Sequence, residues 1–306
     1  MKQKILLYSI CLCLFFACKK DKKTPDPAVK LYPISFNVSG FSTTLVPNAG
    51  KAKTTALTTQ ADTAPVQYLE YILFPINQKL SISSRYESKG DAGFGTFTDN
   101  VPAGRYLAVF YGGITNIKAD NLNYPYTYLY YAFNPIYPSQ NYTYWDDTFY
   151  KTIPVTVASS GTVNQDVSLD RVVSRLDVVL KDAIPTGTSK ITVSFPDTAA
   201  FYLQTGLSSP EMVTQNVTTK TITTADIGKT NYTTTIYTRN DVTPFQVTIS
   251  YYGSNLNGPL GTKTISDVVC KRNTRTILSG NLFTTGNSNF SILANQDWNT
   301  PITVNF

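Results

Sequence analysis

Histidine is missing from all 306 residues. That absence removes the imidazole base of Ser-His-Asp and Cys-His nucleophile systems and the commonest zinc ligand. Cysteine is scarce, with four in the chain. Cys11, Cys13 and Cys18 crowd the N-terminus, so Cys270 stands alone in the body and no disulfide within it is available. In "TISDVVCKRNTRTILSG", Cys270 reads as a small buried hydrophobe. No Gly-rich phosphate loop, Walker pattern or aspartate-rich calcium loop is present. No cofactor or metal is expected. Charge is also sparse: the formal +6 is concentrated at the start, and residues 31–306 carry about +1. A nucleic-acid surface needs a basic patch or stripe, and none is expected here.

The first thirty residues are unlike the rest. Met1-Lys2-Gln3-Lys4 is followed by an apolar run from Ile5 to Ala17, shorter than the roughly 20 residues that span a bilayer. A positive start, a short apolar middle and a small residue make a secretory signal peptide over residues 1–17. "FFAC" resembles the lipobox of bacterial lipoproteins, with Phe15 where a leucine is usual, and implies lipidation of Cys18. Residues 18–30 then hold five lysines, two aspartates and two prolines. Such a segment buries too little to offset its ordering entropy, so a flexible tether is expected. An acylated cysteine carrying more than one chain anchors stably. A lipid-anchored protein of the outer membrane, at the cell surface, is expected.

Beyond the tether, tyrosine (21), phenylalanine (16), threonine and valine favour strands. "KITVSF" puts Ile191, Val193 and Phe195 on one face, "FQVTISYY" does so with Phe245, Val247, Ile249 and Tyr251, and "PITVNF" with Ile302, Val304 and Phe306. "VQYLEYILFPI" and "RYLAVFYGG" are apolar at consecutive positions and read as strands covered on both sides. Turn signals recur between these runs. The pattern predicts an all-β chain of two tandem β-sandwiches over 31–168 and 169–306. "SLDRVVSRLDVVLKDA" could form an amphipathic helix, but its β-branched "LDVVL" favours a strand over Leu176–Leu180. "VTQNVTTKTITTADIGKTNYTTTIYT" is polar, with Val217, Ile222, Ile227 and Ile236 as anchors for edge strands.

One tract stands apart. "NYPYTYLYYAFNPIYPSQNYTYWDDTFY" (Asn123 to Tyr150) crowds ten tyrosine and tryptophan residues into 28 positions. Rigid amphipathic rings dominate recognition surfaces, so Tyr142, Tyr144 and Trp145 form a candidate contact surface for glycan or protein. The alternative is an insertion that packs on its own sandwich. Asp146 and Asp147 would point to opposite faces of a strand, a poor arrangement for a glycosidase pair. Asp62-Thr63-Ala64 and Asp197-Thr198-Ala199 resemble a short O-glycosylation signal.

Three stretches carry a wider resemblance: "LDRVVSRLDVVLKD", "CKRNTRTILSGNLF" and "NQDWNTPITVNF". With the lipobox, tether and two sandwich halves, the chain resembles the fimbrillin superfamily of Gram-negative type V pili, most of all its lipoprotein anchor and minor subunits. Arg171 and Arg175 match an Arg-x-x-x-Arg/Lys phrase opening the family's second domain, and Trp298 matches a tryptophan before its last strand. The resemblance implies sandwiches of transthyretin-like, Greek-key form in a structural, adhesive protein with fimbrial subunits as partners, and no catalysis. It also implies assembly by strand exchange, in which an added strand fills an open edge. "FNVSGFSTTL" (Phe36 to Leu45) would be the first strand. The segment with Trp298, Ile302, Val304 and Phe306 would be the terminal or donor strand. Family stalk subunits lose the first strand to cleavage after an arginine, and this chain has none before Arg85, which favours an anchor or terminator. A glycan-binding surface lipoprotein of a polysaccharide-uptake system is the alternative, and an enzyme is a distant third.

Overall fold

In the computed structural model, residues 29–42, 66–76, 81–114, 119–120, 128–130, 145–198, 200–208, 213–240, 244–254, 258–284 and 290–295 are described. They form strands, turns and connections, with no helix among them. The chain is all-β. Its first strands are β1 (Leu31–Ser42), β2 (Tyr68–Pro75), β3 (Ser83–Ser88), β4 (Thr96–Pro102), β5 (Gly104–Gly113), β6 (Ala119–Asp120), β7 (Tyr128–Tyr130), β8 (Phe149–Val157) and β9 (Val163–Arg171). Then come β10 (Ser174–Leu180), β11 (Thr188–Thr198), β12 (Ala200–Tyr202), β13 (Val213–Thr221), β14 (Tyr232–Thr238), β15 (Phe245–Gly253), β16 (Gly261–Val268), β17 (Arg275–Gly280) and β18 (Ser291–Asn295).

The pairing repeats. In the first half the order is β3-β2-β5-β8, joined at a corner to β9-β1-β4. In the second half it is β13-β11-β15-β16 and β14-β10-β17-β18. The opening strand of each half lies antiparallel to its fourth main strand and parallel to its seventh: β1 against β4 and β9, β10 against β14 and β17. Each half is a β-sandwich built to one plan. The second adds β18 beside its seventh strand.

Alternation explains the two cores. Ile34, Phe36, Val38, Leu69, Tyr71, Leu73, Phe97, Ala108 and Phe110 fill the first. Leu176, Val178, Ile191, Val193, Phe195, Val247, Ile249 and Leu278 fill the second. Cys270 lies buried in the second core. The strand reading of Leu176–Leu180 holds, inside β10. β2 and β5 are apolar at consecutive positions because both faces are covered. Leu69, Tyr71 and Leu73 enter the first core, while Ile72, Phe74, Val109 and Tyr111 enter a third cluster on the outer face. That cluster also takes Val172, Val173, Phe201 and Leu203 from the chain after β9, so the two halves share an apolar seam.

β13 and β14 are edge strands. Ile222 and Ile236 are buried beside them, but Val217 is exposed. The parity of β13 instead turns Asn216 inward, where its amide donates to Asp197 at 3.2 Å.

Candidate assembly site

Two features could serve assembly: the seat of the first strand, and the clamp that joins the halves. β1 lies between β4 and β9 in the first sandwich. Phe36 faces Phe97 across the β4 pair, and Val38 faces Val167 across the parallel β9 pair. The Phe36 ring meets Tyr71 at 5.6 Å and Phe110 at 5.2 Å. Burying Ile34, Phe36 and Val38 contributes about 1.5–3 kcal/mol each. The register shifts between Val38 and Gly40, where the Val38 amide donates to the Gly95 carbonyl at 2.7 Å. Gly95 has φ +86, and a Cβ there would lie 2.8 Å from the Val38 carbonyl oxygen, so this close approach requires glycine. The first sandwich is thus closed by its own N-terminal strand. That strand begins five residues before Phe36, the start the sequence suggested, and ends at Ser42.

The clamp starts in the tyrosine tract. β7, inserted between β5 and β8, pairs antiparallel with β12, inserted between β11 and β13. A segment of the first half therefore adds to a strand of the second. Phe201 in β12 is fully buried, with Trp145 at 5.8 Å, Tyr150 edge-on at 5.3 Å and the Arg239 guanidinium over its face at 4.9 Å. The Trp145 indole donates to the Thr198 carbonyl at 2.7 Å, and the Tyr150 hydroxyl to the Leu203 carbonyl. Arg239 donates to the carbonyls of Val172 and Gly206.

Buried charges lie at the seam, where Arg171 reaches Asn273, and within the second half. Asp147 takes both arms of Arg171, at 2.5 and 2.9 Å, and Arg171 also donates to Asn273 at 3.1 Å. Asp177 in β10 accepts from Arg175 at 2.9 Å, Arg275 at 2.6 Å and Thr235 at 2.7 Å. Arg175 and Arg275 are register partners across the parallel β10–β17 pair. The two quoted arginine-bearing phrases therefore meet in space: Arg171 with Asn273, and Asp177 between Arg175 and Arg275. Asp197 accepts from the Thr238 hydroxyl, the Asn216 amide and the backbone of Thr198, Arg239 and Asn240. Burial pushes its carboxyl above the ordinary range, against the pull of those donors. These groups hold the fold together; each is enclosed by its partners.

No family model matches the chain, and no curated protein matches its sequence. Solved structures match it in shape. A candidate adhesin from Bacteroides ovatus aligns with a TM-score of 0.50 at 9% identity, over 90% of this chain and 97% of its own. The fimbrial anchor protein Mfa2 from Porphyromonas gingivalis aligns with a TM-score of 0.51 at 12% identity, over 88% of this chain and 98% of its own. The chain has their fold. At such identities the likeness is one of architecture.

Trp145 belongs to the clamp. Its ring is 4% exposed, so it offers no stacking face to a glycan, and the packing alternative describes its place. Asp146 and Asp147 lie outside a strand, and Asp147 is committed to Arg171. Asp197 and Thr198 are buried in β11, which removes them as an O-glycosylation signal. Asp62-Thr63-Ala64, Cys18, Tyr142, Tyr144, Trp298, Ile302, Val304 and Phe306 lie outside the described residues. Sequence reasoning missed Phe201 and Arg239. The signal for Arg239 is an arginine in an apolar strand ending, "IYTRN".

Proposed function

We propose that the chain is a cell-surface adhesion protein of the fimbrillin kind, an anchor or minor subunit of a fimbrium, lipidated at Cys18. The observation that carries this reading is the fold shared with a fimbrial anchor protein. The first strand fills the groove lined by Tyr71, Phe97, Phe110 and Val167, and the lack of an arginine before Arg85 favours a subunit that keeps it. The joining of the halves by the β7–β12 strand pair and by hydrogen bonds from Trp145, Tyr150 and Arg171 suits a part that bears load. Each half is a domain, with the boundary close to Leu169 at the end of β9. The partners are other fimbrial subunits. One of them would receive, or provide, a strand by β-augmentation, with Trp298, Ile302, Val304 and Phe306 as the terminal strand of this chain.

Two manipulations in the native host test this. Labelled palmitate should enter the protein and be lost in Cys18→Ala. Deleting Trp298 to Phe306 should either destabilise the second domain or leave a folded monomer that no longer assembles with fimbrial subunits. Unchanged stability together with unchanged assembly would overturn the strand-exchange reading.

A further inference from the structure

The end of the first sandwich farthest from the second carries an apolar cleft. β2 and β4 end there, and β3 and β5 begin there. Pro75, Ile76, Ile82, Pro102, Arg105 and Tyr106 line a space of about 500 Å³. Ile76 and Ile82 are 40% and 47% exposed. β1 enters at the same end, with Leu31 paired to Pro102. Leu31 is 53% exposed and Val29, just before it, 69%. Four large aliphatic side chains of the described residues thus face solvent at one pole, where isolated exposure is the norm. Among the described residues the cations there are Arg105 and Lys30, whose ammonium lies 5.2 Å from the Tyr32 ring centre. The opposite ends of β5, β8 and β9 hold Tyr111, Tyr150 and Arg171, at the seam with the second half.

We propose that this pole docks on the membrane surface. Ile76, Ile82, Val29 and Leu31 enter the boundary between headgroups and acyl chains, and Arg105 meets headgroup phosphate. The proposal rests on the lipid-anchored reading and deepens it. Chain length makes lipid the occupant: Cys18 lies thirteen positions before Leu31, a span of about 20 Å as a flexible chain and at most about 45 Å extended. An acyl group at Cys18 therefore keeps the pole within reach of the bilayer at high effective concentration, so that weak contacts are populated. Charge agrees, because residues 19–30 hold five lysines, and anionic lipid attracts such runs. Apolar side chains beside basic groups are the pattern of an interfacial contact. The second half is then held outward, away from the bilayer.

Two experiments test it. In the first, the acylated protein is reconstituted in phosphatidylethanolamine–phosphatidylglycerol vesicles, with a spin label on Ile82→Cys or, as control, on Val213→Cys in the second half. The label at 82 should lose several-fold in collision with a water-soluble relaxant, and the label at 213 should not. Equal exposure of the two would overturn the proposal, even with palmitate present and the anchor reading intact. In the second, residues 19–306, which retain every described element, are sedimented with the same vesicles. Binding should fall about tenfold in Ile76→Ser/Ile82→Ser and also in Arg105→Glu, with far-UV circular dichroism unchanged. Binding that ignores both variants would count against the pole. Should palmitate fail to incorporate while these variants still weaken binding, the anchor reading falls and the contact stands. A lipid-free dimer abolished by the isoleucine variant would assign the pole to a second copy and overturn the proposal.

Discussion

Phe201→Ala should be among the most damaging single substitutions in the described chain. The ring is fully buried and is touched on three sides, by Trp145, Tyr150 and the Arg239 guanidinium. Phenylalanine to alanine in a core costs about 3–5 kcal/mol. Aromatic pairs add about 0.5–1.5 kcal/mol beyond area, and Arg239 would lose the face over which its buried charge lies. The upper end, about 4–5 kcal/mol, is expected. For a chain of this size that is a fall in Tm of roughly 10–15 °C. Because the ring sits on the seam, a single urea transition in the parent should separate into two in the variant. Far-UV circular dichroism and tryptophan fluorescence would then no longer coincide. Val213→Ala, on an exposed position of the β13 edge, serves as control and should change stability by less than about 0.5 kcal/mol. A loss at Phe201 of under about 1 kcal/mol, or coincident probes in the variant, would refute the reasoning that this ring clamps the two halves.

Other outcomes follow from the same contacts. Asp147→Ala leaves Arg171 buried with Asn273 but without its carboxylate, and should cost about 3–5 kcal/mol, read as a shifted urea midpoint at constant slope. Burial pushes the Cys270 thiol up to about 12, so it should resist alkylation at mildly alkaline pH in the native protein and react fully in urea. Burial raises the hydroxyls of Tyr71 and Tyr150 and takes Tyr86 to about 12. With folded values above unfolded ones, their contribution is whole below about pH 10 and is lost as pH climbs. Stability measured from pH 8 to 12 should therefore fall steeply beyond pH 10, and a flat profile would contradict the burial of these groups.

Strand identity was legible wherever one parity of side chain is apolar. β11 and β15 follow directly from Ile191, Val193, Phe195 and from Phe245, Val247, Ile249. The two-faced burial of β2 and β5 was legible too, because a strand polar on neither side has no solvent face. Partner choice was not. The parallel pairs β1–β9 and β10–β17 join segments about a hundred or more residues apart, and alternation fixes which face is buried, not which strand lies alongside. Trp145 misled for a related reason. An indole beside two aspartates in a tyrosine-rich tract has the composition of a contact surface. Its burial depends on Phe201 and Thr198, more than fifty residues later. Val217 and Asn216 exchanged roles because the buried partner of β13 is the Asp197 carboxylate, which favours an amide over a methyl group.

The most direct test is the intact mass of the protein recovered from its own cell envelope, with its N-terminal residue. A chain beginning at acylated Cys18, with Leu31–Ser42 still attached, is the predicted result. A chain beginning near residue 52, or after Arg85, would have shed β1 and its lipid, and would contradict the account.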